Sequence, residues 1–343
     1  PPPRQPNNAP DHSTKLGART KMLDFEDDLN EIRDRIEQLG REALEDPDSD
    51  VARELAVLRL ELEARTADVY SNLTPWQRVQ VARHTQRPHT LDYIERLFPD
   101  FVELHGDRRF GDDPSVVAGL ALFDGISVVV VGHQKGRTTA ENLERNFGMA
   151  RPEGFRKSLR LFGLAEKFNR PVFTFLDTPG ASPTVEDEER GQSWAIAENM
   201  GFLTRLRVPV ITTVIGEGGS GGALALGIGD RILMLEHSIY SVASPEAAAA
   251  IVWRDSKYAE KAAAALRLTS ADLLHAGLID RVVPEPEGGA HRDHNAAAEN
   301  LGEELRTALK ELRKQDIDTL VESRYAKFRE MGEFAHHDTS ATG

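Results

Sequence analysis

The sequence predicts an α/β fold of repeated ββα units, preceded by a helical hairpin and followed by C-terminal helices. Three observations support this. Apolar runs of strand length at 116–122, 126–131, 171–176, 209–215, 231–235, 239–243 and 278–283 alternate with helical stretches. Several strands arrive in pairs before a helix, as at 116–122 and 126–131 about the turn Asp124-Gly125, so ββα fits better than strict βαβ alternation. Both flanks carry apolar residues at steps of three and four instead of two.

In chain order, residues 1–20 and 333–343 are polar and aperiodic, and both read as disordered tails. Residues 21–75 read as the hairpin arm. Leu29, Ile32, Ile36 and Leu39 form one stripe, and Val51, Leu55, Leu58 and Leu62 form another after the break Glu45-Asp46-Pro47-Asp48-Ser49-Asp50. No polar residue interrupts either stripe, which suits a packing or subunit-docking arm and not chemistry. Residues 76–290 hold the strands, with a helix over 153–168 that sets Phe155, Leu159, Phe162, Ala165 and Phe168 on one face. Residues 291–332 are helical; Leu301, Leu305, Leu309 and Leu312 form a stripe that a partner or the parent domain must cover.

Composition narrows the function. The 343 residues suffice for one large domain or two modest ones. A net charge of −14 repels phosphate backbones and acidic membranes, which argues against nucleic-acid and membrane partners. The absence of cysteine removes disulfides, thiol nucleophiles and thiolate metal sites, so any zinc ribbon must lie on another chain. The apolar runs fall far short of the ~20 residues of a membrane helix, and no signal peptide is visible, so a cytoplasmic protein is expected. His105, His133, His237, His275, His291 and His294 show no spacing of metal ligands, and no metal is expected.

Three segments could carry chemistry. The first is the buried strand 208–215 running into Gly216-Glu217-Gly218-Gly219-Ser220-Gly221-Gly222 and then a helix. Glycines let a ligand approach the main chain, and the amides of Gly221 and Gly222 would stabilise an oxyanion or enolate; a tight connection made for packing alone is the structural alternative. The run lacks the Gly-Lys-Ser/Thr ending of a phosphate loop. It does match Gly-x-Ser-x-Gly, so a serine hydrolase is the enzymatic rival, using Ser220 with Glu246, Asp255 or Asp280 and then His291 or His294. The second segment is Asp177-Thr178-Pro179-Gly180-Ala181, where Asp177 or Thr178 holds a turn and the amides of Gly180 and Ala181 could line the same cavity. The third is His133-Gln134-Lys135-Gly136-Arg137, with Arg145 to Met149 behind it. There Lys135 and Arg137 suit an anionic ligand such as a coenzyme A phosphate or a carboxylate, or else form a solvated charge cluster.

Taken together, Gly132-His-Gln-Lys-Gly136, Arg145-Asn-Phe-Gly-Met149, Pro152-Glu-Gly154, Asp177-Thr-Pro-Gly-Ala181, Glu188-Glu-Arg-Gly-Gln192, the run from Ile215 to Ala225, and Pro284-Glu-Pro286 with Gly288-Gly-Ala-His-Arg292 resemble the carboxyltransferase alpha-subunit family of bacterial multi-subunit acetyl-CoA carboxylases. The likeness runs from about Leu23 to Met331. It implies a crotonase-like (ClpP/crotonase) fold and an obligate zinc-ribbon beta subunit in an α2β2 heterotetramer. It also implies transfer of a carboxyl group from carboxybiotin, carried on a separate biotin carboxyl carrier protein, to acetyl-CoA, giving malonyl-CoA for fatty acid biosynthesis. The beta half would hold the coenzyme A thioester and the alpha half would receive biotin. Matched residue by residue, the amides of Gly221 and Gly222 would bind the ureido oxygen, with Gly180, Ala181, Gly218, Gly219, Ser220, Lys135 and Arg137 around them. The chain has no Met-Lys-Met biotin acceptor and no phosphate loop, so the carrier and the ATP-dependent biotin carboxylase must be separate chains. It departs from the family pattern at Ser182-Pro183-Thr184 and in its proline-rich start.

Overall fold

The computed structural model describes residues 23–45 and 50–332, with the side chains of Leu44 and Glu45 outside the description. Both expected tails and the centre of the Pro47 turn therefore lie outside the described residues. The arm is helical: α1 (Asp27–Glu45) and α2 (Asp50–Ser71) pack as a pair, burying Leu29, Leu39 and Leu55. Its root is pinned to the main domain by buried Glu26, which accepts from Tyr70 Oη at 2.8 Å and from Arg292 Nη2 at 2.6 Å. Two short helices follow, α3 (Pro75–Ala82) behind the capping box of Thr74 and Gln77, and α4 (Thr90–Leu97).

The main domain is built on one sheet. Its strands are β1 (Val102–Glu103), β2 (Val116–Phe123), β3 (Ile126–His133), β4 (Val172–Thr178), β5 (Val210–Gly219), β6 (Arg231–Leu235), β7 (Ile239–Ser241) and β8 (Arg281–Val283). Its spatial order is β1-β2-β3-β4-β5-β6-β8, with β7 beside the far end of β5. The β2–β3 hairpin is antiparallel, and Asp124 and Gly125 turn it with φ of +48° and +76°, the two positive values that a tight hairpin turn requires. From β3 to β8 every pairing is parallel. Two strands come in succession before a helix at β2–β3 and at β6–β7, although β6 and β7 both pair with β5 and not with each other; β4 and β5 alternate singly with helices, so the expected repeat is not regular along the chain.

The helices between strands are α5 (Thr139–Glu144), α6 (Pro152–Lys167), α7 (Val185–Glu189), α8 (Gln192–Arg205), α9 (Ser220–Leu224), α10 (Pro245–Trp253), α11 (Ala259–Leu266) and α12 (Ser270–His275), with α13 (His294–Leu312) and α14 (Ile317–Glu330) at the end. Alternate residues of the strands feed two cores. Val129, Val131, Val172 and Val210 pack with Phe155, Phe162 and Leu203 of α6 and α8 on one face. Val128, Val130, Phe173 and Ile211 pack with Tyr93 and Phe98 of the α4 region on the other, together with the α13 stripe Leu301, Leu305, Leu309 and Leu312. The parent domain thus covers the C-terminal stripe. On α6 the expected face holds for Phe155, Phe162 and Ala165, but Phe168 lies past the last turn and is exposed beside Lys167.

Candidate functional site

Because β3, β4 and β5 are parallel neighbours, their carboxyl ends emerge along one edge, the place where open parallel sheets present ligand sites. The three segments singled out in the sequence follow these three ends. One expectation about the first segment changes. The glycine run is not a free turn: β5 continues to Gly219, because Glu217, Gly218 and Gly219 pair with Ile239, Tyr240 and Ser241 of β7, and Gly218 pairs with Thr178 of β4. The corner into α9 is made by Ser220 alone, with φ +52°, uncommon for a residue with a side chain.

The glycines are required by how closely the two loops approach. A Cβ on Gly219 would lie 2.2 Å from the Pro179 carbonyl oxygen, and one on Gly222 would lie 2.5 Å from Gly180 C and 2.6 Å from Ala181 N. One on Gly218 would strike the Tyr240 ring at 2.8 Å. Gly221 differs, since the nearest atom to its Cβ position is Ile196 Cδ1 at 3.7 Å. It fronts a cavity of about 470 Å³ lined also by Ser220, Met200, Tyr240, Val242, Phe328 and Met331. The N–H groups of Gly221 and Gly222 fall in the first turn of α9, where an α-helix offers no acceptor. Next to them, Gly180 N–H donates to Thr178 Oγ1 at 3.1 Å, and Ala181 packs against the Gly222 backbone. Main-chain donors at the start of a helix beside an apolar chamber can hold an oxygen on which negative charge develops.

The charged residues at this edge fix the loops. Lys135 Nζ lies 2.8 Å from Asp177 Oδ1 and 3.4 Å from Glu217 Oε2, and Arg137 Nη2 donates to Asp92 Oδ2 at 2.6 Å; neither cation lines the cavity. Burial opposes ionisation of Asp177, but the Lys135 charge and the hydrogen bonds from His89 and Lys135 outweigh it and hold the carboxyl well below the usual range. Asp177 also accepts the Glu217 N–H at 3.1 Å, so one carboxylate joins the β4 end to the β5 tip. The Arg145-Asn-Phe-Gly-Met149 run packs over this pair: Asn146, Phe147 and Gly148 all have positive φ, and a Cβ on Gly148 would lie 2.8 Å from Lys135 Cγ.

The acids and bases that a serine hydrolase would need are engaged elsewhere. Glu246 pairs with Arg83 at 2.7 Å, Asp255 accepts from Lys257 N, and Asp280 accepts from Ile232 N and pairs with Lys327. His291 stacks on His84 with centroids 4.0 Å apart, and His294 Nε2 lies 2.7 Å from the Gln86 carbonyl. None of these residues hydrogen-bonds Ser220, so the triad expected of the rival is not assembled. Among the described residues no group of three or more His, Asp or Glu side chains could hold a metal ion.

His133, the last residue of β3, is fully buried, and its burial pushes the imidazole down to about 4. A histidine depressed on folding binds its proton more readily in the unfolded chain, so its stabilising effect is complete above pH 6.5 and is lost as pH falls towards 4. The melting temperature should therefore drop over that interval, and His133→Gln should flatten the drop, with roughly 3 kcal/mol at stake. Identical wild-type and variant profiles in thermal melts between pH 7 and 4.5 would contradict this.

The cavity walls Met200, Tyr240, Phe328 and Met331 carried no signal in the sequence. They are ordinary apolar positions on α8, β7, α14 and the residue after α14, and only the fold brings them to Gly221.

The chain matches the family described as acetyl co-enzyme A carboxylase carboxyltransferase-like over residues 22–332. It is 53% identical over 313 residues to the acetyl-coenzyme A carboxylase carboxyl transferase subunit alpha of Thermus thermophilus, covering 91% of this chain and 99% of the relative. It is 54% identical over 311 residues to that of Geobacillus thermodenitrificans, covering 91% and 95%. Among solved structures, transcarboxylase 12S with hydrolysed methylmalonyl-coenzyme A bound superposes with a TM-score of 0.54 at 20% identity, over 67% of this chain but only 43% of that one. A Pseudomonas malonate decarboxylase hetero-tetramer with coenzyme A gives 0.54 at 21% identity, over 68% and 91%. At such identities the structural likeness speaks for the crotonase-like carboxyltransferase fold alone. The extent and identity of the sequence matches place the chain in the acetyl-coenzyme A carboxylase carboxyltransferase family, as an alpha-subunit member.

Proposed function

We propose that this chain is the biotin-receiving half of acetyl-CoA carboxylase carboxyltransferase, with the amides of Gly221 and Gly222 as donors to the ureido oxygen. Carboxybiotin, borne on a separate carrier protein, supplies the carboxyl group that converts acetyl-CoA to malonyl-CoA for fatty acid biosynthesis. The observation that carries the proposal is the pair of interlocked glycine loops, with Gly222 seated on Gly180 and Ala181 and Gly221 opening onto an apolar chamber. A chamber of about 470 Å³ lies in the size range of small-molecule sites and suits a compact, largely apolar bicycle with one polar edge. Ser220 lines the chamber beside Gly221, and Gly180, Ala181, Gly218 and Gly219 make up the joined loop ends behind the donors. Lys135 and Arg137 serve the site indirectly, by holding the loops. Fixed amides in a water-poor cleft stabilise developing negative charge with little reorganisation, which is why no side-chain nucleophile is needed.

The alpha-subunit relatives point to a beta subunit as partner, and we propose that it supplies the acyl-CoA half of the site and the zinc ribbon in an α2β2 assembly, fed by biotin carboxylase and the carrier protein. The test is co-expression with the beta subunit, followed by an assay of carboxyl exchange from malonyl-CoA to free biotin. Exchange is expected from the complex and not from this chain alone; a well-formed complex without exchange would overturn the proposal. Ser220→Ala should cost only a few-fold in the complex, and a fluorophosphonate should leave Ser220 unlabelled. A hydrolase would lose activity by many orders of magnitude on losing its serine.

A further inference from the structure

The segment 83–91, which joins α3 to α4 and includes the first residues of α4, crosses the carboxyl ends of all three site strands and bonds to each. At β3, Thr90 Oγ1 donates to the His133 carbonyl, and just beyond it Leu91 N–H donates to Gln134 Oε1 at 2.8 Å. At β4, His89 Nδ1 lies 3.1 Å from Asp177 Oδ2. At β5, Arg87 Nε donates to the Ile215 carbonyl at 2.8 Å while its other nitrogens meet Glu285 at 2.5 and 2.9 Å. Arg83 Nε and Nη2 donate to Glu217 Oε1 at 3.0 and 2.5 Å. Arg87, His89 and Thr90 are buried, whereas the Arg83 side chain is 30% exposed and also reaches Glu246 on α10 at 2.7 Å.

We infer that Arg83 is a positioning residue for carboxyl transfer, which sets the aim of the Gly221 and Gly222 amides by clamping Glu217 to α10. Glu217 is buried, one residue before the glycines, and fixed from three sides: its N–H on Asp177, Oε2 facing Lys135, and Oε1 on Arg83. The glycines that follow are held by strand pairing and by close contact with the β4 loop but carry no side-chain anchor, so Glu217 supplies the side-chain tie just before the tip. Without Arg83, Glu217 would be left with Lys135, which it shares with Asp177, and its Oε1 would lose its partner; a buried carboxylate so placed moves towards water and takes the strand tip with it. The guanidinium is suited to the task because its planar fork binds two carboxylates at once, which an ammonium on a flexible stem does less well.

The inference rests on the amide donors proposed above, and the experiment separates the two. Arg83→Met, Arg83→Lys and Glu246→Gln are each assembled with the beta subunit and assayed for exchange between malonyl-CoA and biotin, beside Gly222→Val. Arg83→Met should lower kcat at least tenfold, with the KM for malonyl-CoA within about twofold and the size of the complex unchanged. Arg83→Lys should recover part of the loss. Glu246→Gln, which removes only the outer half of the clamp, should lower kcat two- to fivefold. Near-normal kcat in Arg83→Met, or a loss matched by dissociation of the complex with no rescue by lysine, would overturn the clamp while the amide donors stand, provided Gly222→Val is inactive. Activity in Gly222→Val would instead remove the donors themselves, and the clamp with them.

Discussion

Gly222→Val should lower kcat for carboxyl exchange by about a hundred- to a thousandfold, the loss associated with one misplaced oxyanion donor. The reason is steric and local. A Cβ at residue 222 would stand 2.5 Å from Gly180 C and 2.6 Å from Ala181 N, both main-chain atoms that cannot swing aside. The β4 and β5 loops would have to part, and the amides of both would leave their present aim. Gly221→Ala makes the contrast. Its Cβ would meet only Ile196 at ordinary contact distance, so the loops should stay intact and the added methyl should intrude on the cavity mouth, raising the KM for biotin more than it lowers kcat. Both variants are measured as alpha–beta complexes checked for size. Near-normal turnover in a Gly222→Val complex would show that the loop junction is not the reacting edge.

Arg324→Met should destabilise the chain by about 3–5 kcal/mol, the cost of removing one partner from a fully buried ion pair. Arg324 on α14 is completely covered. Its Nε and Nη2 meet the two oxygens of Asp230 at 2.8 and 2.7 Å, and the same guanidinium donates to the carbonyls of Leu203, Leu206 and Val208 at 2.7, 2.8 and 2.9 Å. Asp230 in turn accepts the Val210 N–H at the start of β5. Methionine would fill most of the space but leave the Asp230 carboxylate buried without its cation, with the Val210 N–H still on it, and would take one donor from each of three carbonyls. Urea unfolding monitored by circular dichroism gives the difference directly. Adding Asp230→Asn should recover part of it, since the uncompensated charge is then gone. A loss below about 1 kcal/mol would mean that the buried pair with Asp230 contributes little to holding α14. Because α14 and the residue after it supply Phe328 and Met331 to the cavity, the same substitution should also weaken biotin binding.

Local pattern revealed most of the fold. The apolar runs at 116–122 and 126–131 mark β2 and β3 to within two residues, and the Asp124-Gly125 signal marks their turn. The two-residue β1 escaped notice because so short a strand has no period. The site was half legible. Glycine spacing singled out residues 180, 218, 219, 221 and 222, and close approach of neighbouring atoms accounts for 218, 219 and 222. The roles of Lys135 and Arg137 were not visible, because a cation's partner depends on what lies across space: here Asp177, Glu217 and Asp92, from other elements. Nor could the sequence show that the segment 83–91 bonds to three strands at once, or that Glu246 serves Arg83 and not Ser220.

What is short in range was legible in the chain: apolar runs of strand length, helical steps of three and four, turn chemistry, the absence of thiols, and the ordered motifs that mark the family. Tertiary structure alone decided which strands became neighbours. The sheet order set Gly222 on Gly180 and Asp177 beneath Gly216, and β7 turned a glycine loop into the end of a strand. The physical reason is that periodicity records which way a side chain faces, whereas hydrogen bonds, ion pairs and steric contact depend on distances between residues far apart in the chain, and packing alone fixes these.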